Sequence, residues 1–235
     1  MPDTLKILAE GFSIHLTDKN LADFDAYTRL LLCWNEKINL TAITDPDEIV
    51  CKHYLDSLIL LDAASFPDGA RVIDIGSGAG FPGIPLKIAR PNIDLTLLDS
   101  QKKRLNFLEE LSRHLKQENS TLHGRAEDLA HNPKVRESFD IAAARAVANL
   151  PYLCELVLAY LKVGGVFLAM KGPDAESEAK DAAAAAAKMG AEIADIREYD
   201  IPGAGHRKII TIEKISHTSA NYPRNHKKMI KAPLK

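Results

Sequence analysis

The chain has 235 residues and a mass of 25.8 kDa, which suits one domain with an appendage. Hydrophobic residues make up 46% of the sequence and charged residues 26%, and these fractions exclude a disordered, collagenous or disulfide-scaffold protein. The formal net charge of −2 conceals an asymmetry. Residues 206–235 carry eight Lys and Arg against the single acid Glu213, a net charge of +7, which leaves −9 for residues 1–205. This balance favours a polyanionic partner for the C-terminal end.

The sequence also limits the compartment and the metal chemistry that we expect. No uncharged apolar run approaches the roughly 18 residues that a membrane span requires, and charged residues interrupt residues 1–10, where a secretory signal would have an apolar core. Cys33, Cys51 and Cys154 are odd in number and widely spaced, so neither a disulfide framework nor a zinc site is indicated. We expect a cytoplasmic protein with no membrane contact and no metal.

Helical patterns dominate the N-terminal part of the chain. They cover residues 4–10, 19–37 and 47–64. In the second of these segments the apolar residues recur at spacings of three and four, which is the pattern of an amphipathic helix; they are Leu21, Phe24, Tyr27, Leu30, Leu31 and Trp34. We therefore expect an N-terminal helical subdomain over residues 1–64, packed on the core.

From Arg71 onward, short β-branched strands alternate with helices. Strands are predicted at residues 72–75, 95–98, 141–143, 166–170 and 209–212, and helices at 84–89, 102–116, 150–161 and 175–189. This alternation predicts an α/β domain over residues 65–214, with a mostly parallel sheet covered by helices on both faces. Residues 192–197 and 208–212 predict an antiparallel hairpin at the sheet edge, and residues 215–235 form a basic C-terminal tail.

A glycine-rich turn follows the first predicted strand directly. Residues 72–75 run into Gly76-Ser77-Gly78-Ala79-Gly80-Phe81-Pro82-Gly83, and Asp99 ends the second strand twenty-one residues beyond Gly78. Glycine lets a ligand lie against bare backbone, and a carboxylate at this place can accept both hydroxyl hydrogens of a ribose. The strand, turn, helix and acid together predict a nucleoside-cofactor site.

The type of cofactor depends on the residues that start the following helix. Gly78, Gly80 and Gly83 satisfy the G-x-G-x-x-G dinucleotide pattern. Pro82 and Pro85 count against a dinucleotide, because proline provides no amide donor for a pyrophosphate. S-adenosylmethionine has no phosphate and needs only a close-fitting turn and the ribose acid. A nucleotide-cofactor (NAD-type) oxidoreductase and a non-catalytic RNA-binding protein are the alternatives.

At this point the sequence resembles a known family. The block from Asp74 to Leu86, followed by Leu97-Leu98-Asp99-Ser100 and Lys103-Arg104, is similar to the bacterial small-subunit ribosomal RNA guanine-N7 methyltransferases, also called the glucose-inhibited division protein B family. The similarity extends over most of the chain, through Trp34-Asn35, Asn39-Leu40-Thr41, His53-x-x-Asp56-Ser57-Leu58, Arg125-Ala126-Glu127, Ala144-Arg145-Ala146, Lys171-Gly172 and Tyr222-Pro223-Arg224.

The resemblance implies a Rossmann-like class I S-adenosylmethionine-dependent methyltransferase and a set of site residues. The implied cofactor residues are Gly76 and Phe81 on the methionine side, with Gly78 and Gly80 in the same turn, Asp99 at the ribose, Ala126 and Glu127 on the adenine side, and Arg145 at the boundary with RNA. The implied RNA-facing, catalytic residues are Asn39, His53, Arg125, Arg145 and Lys171. Segment 125–127 follows the third strand and Arg145 the fourth, so both belong to the edge where such sheets bind ligands.

Two kinds of methyl acceptor are disfavoured because the sequence lacks the motifs that they require. Methylation of an exocyclic amino group typically uses an (Asn/Asp/Ser)-Pro-Pro-(Tyr/Phe) segment after the fourth strand, where this chain has Arg145-Ala146-Val147-Ala148. Methylation of pyrimidine C5 requires a cysteine nucleophile, usually after proline, whereas Cys154 follows Leu153 within a predicted helix. Guanine N7 has an in-plane lone pair, so alignment with the sulfonium methyl supplies most of the acceleration.

The implied substrate is guanine N7 in the 530 loop of 16S ribosomal RNA, near the decoding site, on naked RNA or in the small ribosomal subunit, and we expect the enzyme to be a monomer. In the tail this chain has Lys227 and Met229 where the family usually has a glycine and a further proline. We expect the tail to bind RNA through its charge, and its removal from Tyr222 onward to leave cofactor binding intact.

Overall fold

The computed structural model describes residues 2–145 and 148–234. Ala146 and Val147, from the segment expected to follow the fourth strand, and Lys235 of the basic tail lie outside the described residues. None of the helices in the described ranges combines the length and apolar character of a membrane-spanning segment.

The N-terminal part is helical, as the sequence predicts. It consists of α1 (Pro2–Glu10), α2 (Asp18–Asn35), α3 (Pro46–Ile49), a π-helical turn (Val50–Leu55), α4 (Asp56–Leu58) and α5 (Leu60–Ala63). Thr17 caps α2, with Asn20 reciprocating in a capping box, and Asp45 caps α3. The segment predicted as one helix, residues 47–64, is divided by the π-helical turn, whose wider backbone carries His53 and leads into Asp56.

A single seven-stranded sheet forms the centre of the molecule. Its strands are β1 (Arg71–Ile75), β2 (Asp94–Asp99), β3 (Ser120–His123), β4 (Phe139–Arg145), β5 (Leu161–Lys171), β6 (Ala191–Ile201) and β7 (Gly205–Lys214), in the order β3-β2-β1-β4-β5-β7-β6. β1 to β5 pair in parallel, and β7 and β6 form an antiparallel edge. The predicted fold class is confirmed. The strand order reverses between β1 and β4, where ligands bind in open α/β sheets.

Helices cover both faces of this sheet. They are α6 (Gly83–Ala89), α7 (Lys102–His114), α8 (Ala126–Leu129), α9 (Leu150–Val157), followed by a 3₁₀ turn (Leu158–Tyr160), α10 (Ala175–Lys188) and α11 (His226–Lys231). Side chains alternate across β1, so Val72 joins the core beneath the N-terminal helices and Ile73 joins the core on the other face. Met229 and Leu234 of the tail belong to this second core, so the tail is anchored to the α/β domain.

Candidate functional site

The glycine-rich turn joins the ends of β1 and β2. Gly76, Gly78 and Gly80 all have positive φ, a conformation that favours glycine. A Cβ added to Gly80 would lie 2.8 Å from the hydroxyl of Tyr27, so packing against α2 requires a glycine here. Gly76 instead lies on the wall of a cavity at the carboxyl ends of the strands. Gly78 and Gly80 are not on the described wall of this cavity, and their contact with a cofactor stays a prediction.

The carboxyl group of Asp74 is buried inside the protein and lies at the amino end of α6. Its Oδ2 accepts the backbone N–H of Gly83 at 3.0 Å, and burial raises the pKa of this carboxyl to about 7. Asp74 Oδ1 is buried without a hydrogen-bond partner among the described residues. A carboxyl group therefore takes the place at the helix start that a pyrophosphate needs, which argues against a dinucleotide.

Asp99 lies at the end of β2, as predicted, but its carboxylate is bound by backbone. Oδ2 accepts the N–H of Gly78 at 2.9 Å, Oδ1 accepts the N–H of Gln101 at 2.8 Å, and Arg104 Nη1 is 3.5 Å from Oδ2. The side chain is buried and is not on the described cavity wall. Asp99 therefore holds the glycine turn in place, and its contact with a ribose stays a prediction.

A cavity of about 510 Å³ opens beside Gly76 and between the ends of the strands. Ala126 and Glu127, two of the predicted cofactor residues, lie on its wall, as does Arg125. Arg125 was expected to face RNA, but its Nε donates to Glu127 Oε1 at 2.6 Å, so the structure groups it with the adenine-side residues. The wall combines apolar side chains with the Arg125–Glu127 ion pair and a few polar groups, and the volume suits a nucleoside.

Part of this cavity wall comes from residues that the sequence did not indicate. Tyr152 on α9, and His226, Met229 and Ile230 on α11, line it together with Pro233. α11 lies over the cavity, which counts against the expectation that removal of the tail leaves cofactor binding intact; that expectation stays untested. The apolar pair Met229-Ile230 within a basic segment was the available signal.

Buried ionic contacts hold the tail against the α/β domain. Arg224 donates to both carboxylate oxygens of Glu155 on α9, from Nε at 2.8 Å and Nη2 at 2.7 Å. Arg136 donates to the carbonyls of Thr218 and Tyr222, each at 2.9 Å. The guanidinium of Arg224 is thus already paired within the protein. The cations of the tail from Tyr222 onward, which were expected to contact phosphates, are Arg224, Lys227, Lys228, Lys231 and Lys235. Among the described residues, Lys227, Lys228 and Lys231 are exposed.

A second cavity, of about 450 Å³, lies between the N-terminal helices, the carboxyl ends of β4 and β5, and β7. Arg145 lies on its wall. The guanidinium donates to Asp56 Oδ2 at 2.9 Å and to the carbonyl of Lys52 at 3.1 Å, and it lies 4.8 Å from the ring centroid of Phe81. Arg207 from β7 donates to the other oxygen of Asp56 at 3.0 Å. The buried carboxylate of Asp56 therefore orients both arginines.

We call the second cavity the cationic cleft, because Lys52, Arg145, Lys171, Arg207 and Lys208 line it. His53 lies between this cleft and the glycine turn. Its ring stacks on Phe81 at 4.4 Å, and Nδ1 lies 3.2 Å from Arg145 Nη2. Burial, with the charge of Arg145 as the second cause, lowers the pKa of His53 to about 4. The imidazole is neutral at physiological pH. Nδ1 also lies 3.0 Å from the carbonyl of Lys52, and Nε2 lies 2.8 Å from Thr41 Oγ1, so the tautomer of the ring decides which of these groups donates.

The two remaining RNA-facing predictions have different outcomes. Lys171 lines the cleft, but its side chain is only 9% exposed, and Nζ contacts Glu178 at 2.8 Å and the carbonyl of Ala148 at 2.7 Å. It therefore fixes the chain after β4 and offers little to a phosphate. Asn39 is exposed on the loop between α2 and α3, away from the described walls of both cavities. Asn35 shapes that loop by accepting the N–H groups of Leu40 and Thr41.

Comparison with known proteins identifies the family. The model for rRNA small subunit methyltransferase G (GidB) matches residues 20–209. The ribosomal RNA small subunit methyltransferases G of Clostridium novyi (strain NT) and Desulfitobacterium hafniense (strain Y51) are 44% and 46% identical to this chain, covering 99% and 97% of it and 96% and 95% of the relatives. The chain belongs to the rRNA small subunit methyltransferase G family. It is an rRNA methyltransferase, so the oxidoreductase and the non-catalytic RNA-binding protein are set aside.

Solved structures of lower identity support the fold. TrmN from Thermus thermophilus has a TM-score of 0.54 at 20% identity, covering 68% of this chain and 49% of TrmN. TYW2 from M. jannaschii, in complex with AdoMet, has a TM-score of 0.52 at 14% identity, covering 85% of this chain and 78% of TYW2. These similarities confirm the Rossmann-like class I methyltransferase fold.

Proposed function

We propose that this protein transfers a methyl group from S-adenosylmethionine to N7 of a guanine in the 530 loop of 16S ribosomal RNA, near the decoding site, as a cytoplasmic monomer. The main support is the position of two cavities at the switch point of the sheet. β1 pairs with β4 up to Asp74 and Ala143, and two residues later Gly76 faces the first cavity and Arg145 the second. The methyl donor would occupy the first cavity and the base the second, where Arg145 and His53 lie against Phe81.

On the cofactor side, the residues divide between the two ends of the donor. Gly76 would receive the methionine end, and Ala126 and Glu127 the adenosine end. Phe81 is buried and not on the described cavity wall, so its contact with the methionine end stays a prediction. When bound, S-adenosylmethionine would supply the methyl group: the nucleophile forms a bond to the methyl carbon as the bond from that carbon to the sulfonium sulfur breaks, and S-adenosylhomocysteine leaves. The carboxyl of Asp74 at the start of α6 is compatible with a cofactor that carries no phosphate. The role of Asp99 is to hold the turn, with the ribose as a further ligand.

On the RNA side, Arg145 is the residue closest to the reaction. Guanine presents O6 and N7 as acceptors on one edge; a guanidinium N–H directed at O6 orients the base and leaves N7 free to attack. No proton has to be removed from N7, so the neutral imidazole of His53 has a positioning role. Lys52 and Arg207 on the cleft wall are each paired with a carboxylate, Glu48 and Asp56, but remain partly exposed and would supply charge for phosphates.

The decisive experiment is methyl transfer onto ribosomal RNA from cells that lack the modification, with the product mapped by cleavage at 7-methylguanosine. Already modified ribosomal RNA is the matched control. Naked RNA and assembled small subunits are tested in parallel, because either is compatible with an open cleft. Label at guanine N7 of the 530 loop supports the proposal, and label on another atom or another loop contradicts it.

Cofactor choice is tested separately by thermal stabilisation. A ligand that binds only the folded state raises the melting temperature according to its concentration relative to Kd. S-adenosylhomocysteine is expected to stabilise the protein and NAD is not. Stabilisation by NAD alone would contradict the proposed cofactor. It would also contradict the inference that the buried carboxyl at the start of α6 excludes a pyrophosphate.

A further inference from the structure

The cavity beside Gly76 has an exposed apolar residue at its edge. Ile230 on α11 lies on the cavity wall and is 61% exposed. An isoleucine in water is common on protein surfaces and requires no explanation alone. Its position on the wall of a ligand-sized cavity gives it a surface that a bound ligand can cover.

The position of Ile230 is set by anchored neighbours on both sides. Met229 is 1% exposed and packs in the core under the cavity, and Leu234 is also buried there. Asn225 caps α11 by accepting the N–H of Lys228 at 3.0 Å, and Arg224 is bound to Glu155. Because the helix is fixed before and after it, Ile230 has a defined place on the wall.

A second contact joins α11 to the acidic side of the cavity. His226 Nδ1 lies 2.8 Å from the hydroxyl of Tyr152 and 3.6 Å from Glu127 Oε1. Tyr152 and Glu127 both line the same cavity. The C-terminal helix therefore reaches the group that the proposed function assigns to the adenosine end of the cofactor.

The orientation of the cofactor follows from where its methyl must go. The methyl has to face the cationic cleft beside Phe81 and Arg145. The adenosine end then extends away from that cleft, toward Glu127 and α11. We infer that Ile230 packs on the purine of the cofactor, so that the C-terminal helix is a wall of the cofactor site as well as a carrier of positive charge. This inference rests on the proposed function.

The test is a single substitution that leaves the fold unaffected. Ile230→Ala removes an exposed side chain, so the melting temperature of the unliganded protein should change little. Kd for S-adenosylhomocysteine, measured by calorimetry, should rise roughly five- to tenfold, because the ligand loses part of an isoleucine-sized apolar contact. Ile215→Ala is the matched control, since Ile215 is 53% exposed at the start of the tail and is not on the described cavity wall; its Kd should equal that of the unchanged protein.

Two further measurements locate the contact. Adenosine should lose affinity in Ile230→Ala by the same factor as S-adenosylhomocysteine, because the contact is to the purine. In the unchanged protein, S-adenosylhomocysteine should slow tryptic cleavage after Lys227, Lys228 and Lys231, which are exposed on α11.

Unaltered affinity in Ile230→Ala, or a loss for S-adenosylhomocysteine without a loss for adenosine, overturns the inference and leaves the proposed function standing. Failure of the unchanged protein to bind S-adenosylhomocysteine at all would overturn the proposed function, and the inference with it.

Discussion

Replacement of Arg145 tests whether its contacts serve the fold, the reaction or both. From the sequence alone, Arg145→Ala is expected to reduce methyl transfer far more than the melting temperature. The structure predicts a clear loss of stability as well. The buried carboxylate of Asp56 loses one of its two arginine partners, which costs roughly 1.5 to 3 kcal/mol for a charged hydrogen bond, and the contact with Phe81 adds about 0.5 to 1 kcal/mol.

These two contributions give a destabilisation of about 3 kcal/mol for Arg145→Ala. In a protein of this size, that corresponds to a fall of about 6 to 12 °C in melting temperature, at roughly 2 to 4 °C per kcal/mol. Arg145→Lys keeps the charge, but one ammonium cannot reproduce the planar fork that reaches Asp56 and Lys52 while covering Phe81. We expect about 1 to 2 kcal/mol of destabilisation and a loss of methyl transfer of more than about tenfold.

The measurements are denaturant unfolding, calorimetric binding of S-adenosylhomocysteine, and initial rates of methyl transfer at a temperature where every variant is folded. Arg71→Ala is the control: Arg71 lies 5.0 Å from the ring of Phe139 and donates to the Ser138 carbonyl, but at the opposite, amino end of β1. It should lose stability and retain its rate. A role of Arg145 in the reaction is refuted if Arg145→Lys transfers methyl groups at the rate of the unchanged protein. It is also refuted if the loss of activity in the Arg145 variants is fully explained by the fraction of unfolded protein.

Three further outcomes are expected. Asp99→Ala releases the glycine turn and should weaken binding of S-adenosylhomocysteine by about tenfold or more, since a charged hydrogen bond contributes roughly 1.5 to 3 kcal/mol; unchanged affinity by calorimetry would remove Asp99 from the site. Replacing Lys227, Lys228 and Lys231 together by Gln should reduce the slope of log affinity for RNA against log salt concentration by at most about 2 to 2.7, at roughly 0.7 to 0.9 per phosphate contact. An unchanged slope would mean that these lysines are only solvated. The pKa of His53 is lowered from 6.5 to about 4, so as pH falls the unfolded chain binds a proton at this residue before the folded chain does. The free energy of unfolding should therefore fall by at most about 3 kcal/mol between about pH 6.5 and about pH 4. In denaturant titrations across this range, His53→Gln should lack that decrease, and identical pH profiles would contradict the burial of a neutral ring.

Much of the architecture could be predicted because its signals are local. Apolar residues recurring every two or every three to four positions specify strands and helices, and Thr17 and Asn225 cap helices through bonds to residues only three positions away. The alternation of these elements predicts a parallel sheet, and the glycine turn after β1 places a ligand at its carboxyl edge. Gly76, Ala126 and Glu127 line the cavity there as expected.

The partners of the charged side chains could not be predicted in the same way. Arg145 and Asp56 are separated by 89 positions in the sequence, and Asp56 and Arg207 by 151, so their pairing depends on how the N-terminal helices and β7 pack around the end of β4. The same holds for Lys171, which lines the cleft but is paired with Glu178. Charge is visible in a sequence, but whether a cation is free or already paired depends on which side chains the fold brings within about 4 Å.

The tail shows this difference most clearly. Its composition indicates only a positive segment, and the charge of Lys227, Lys228 and Lys231 is indeed exposed. Met229 and Ile230 acquire their significance from α9 and the strand ends, which lie far away in the sequence and form the cavity that α11 covers. Burial of apolar surface is non-directional, so no local pattern specifies which part of the domain a two-residue apolar pair will cover, and packing of the whole domain places this pair at the candidate cofactor site.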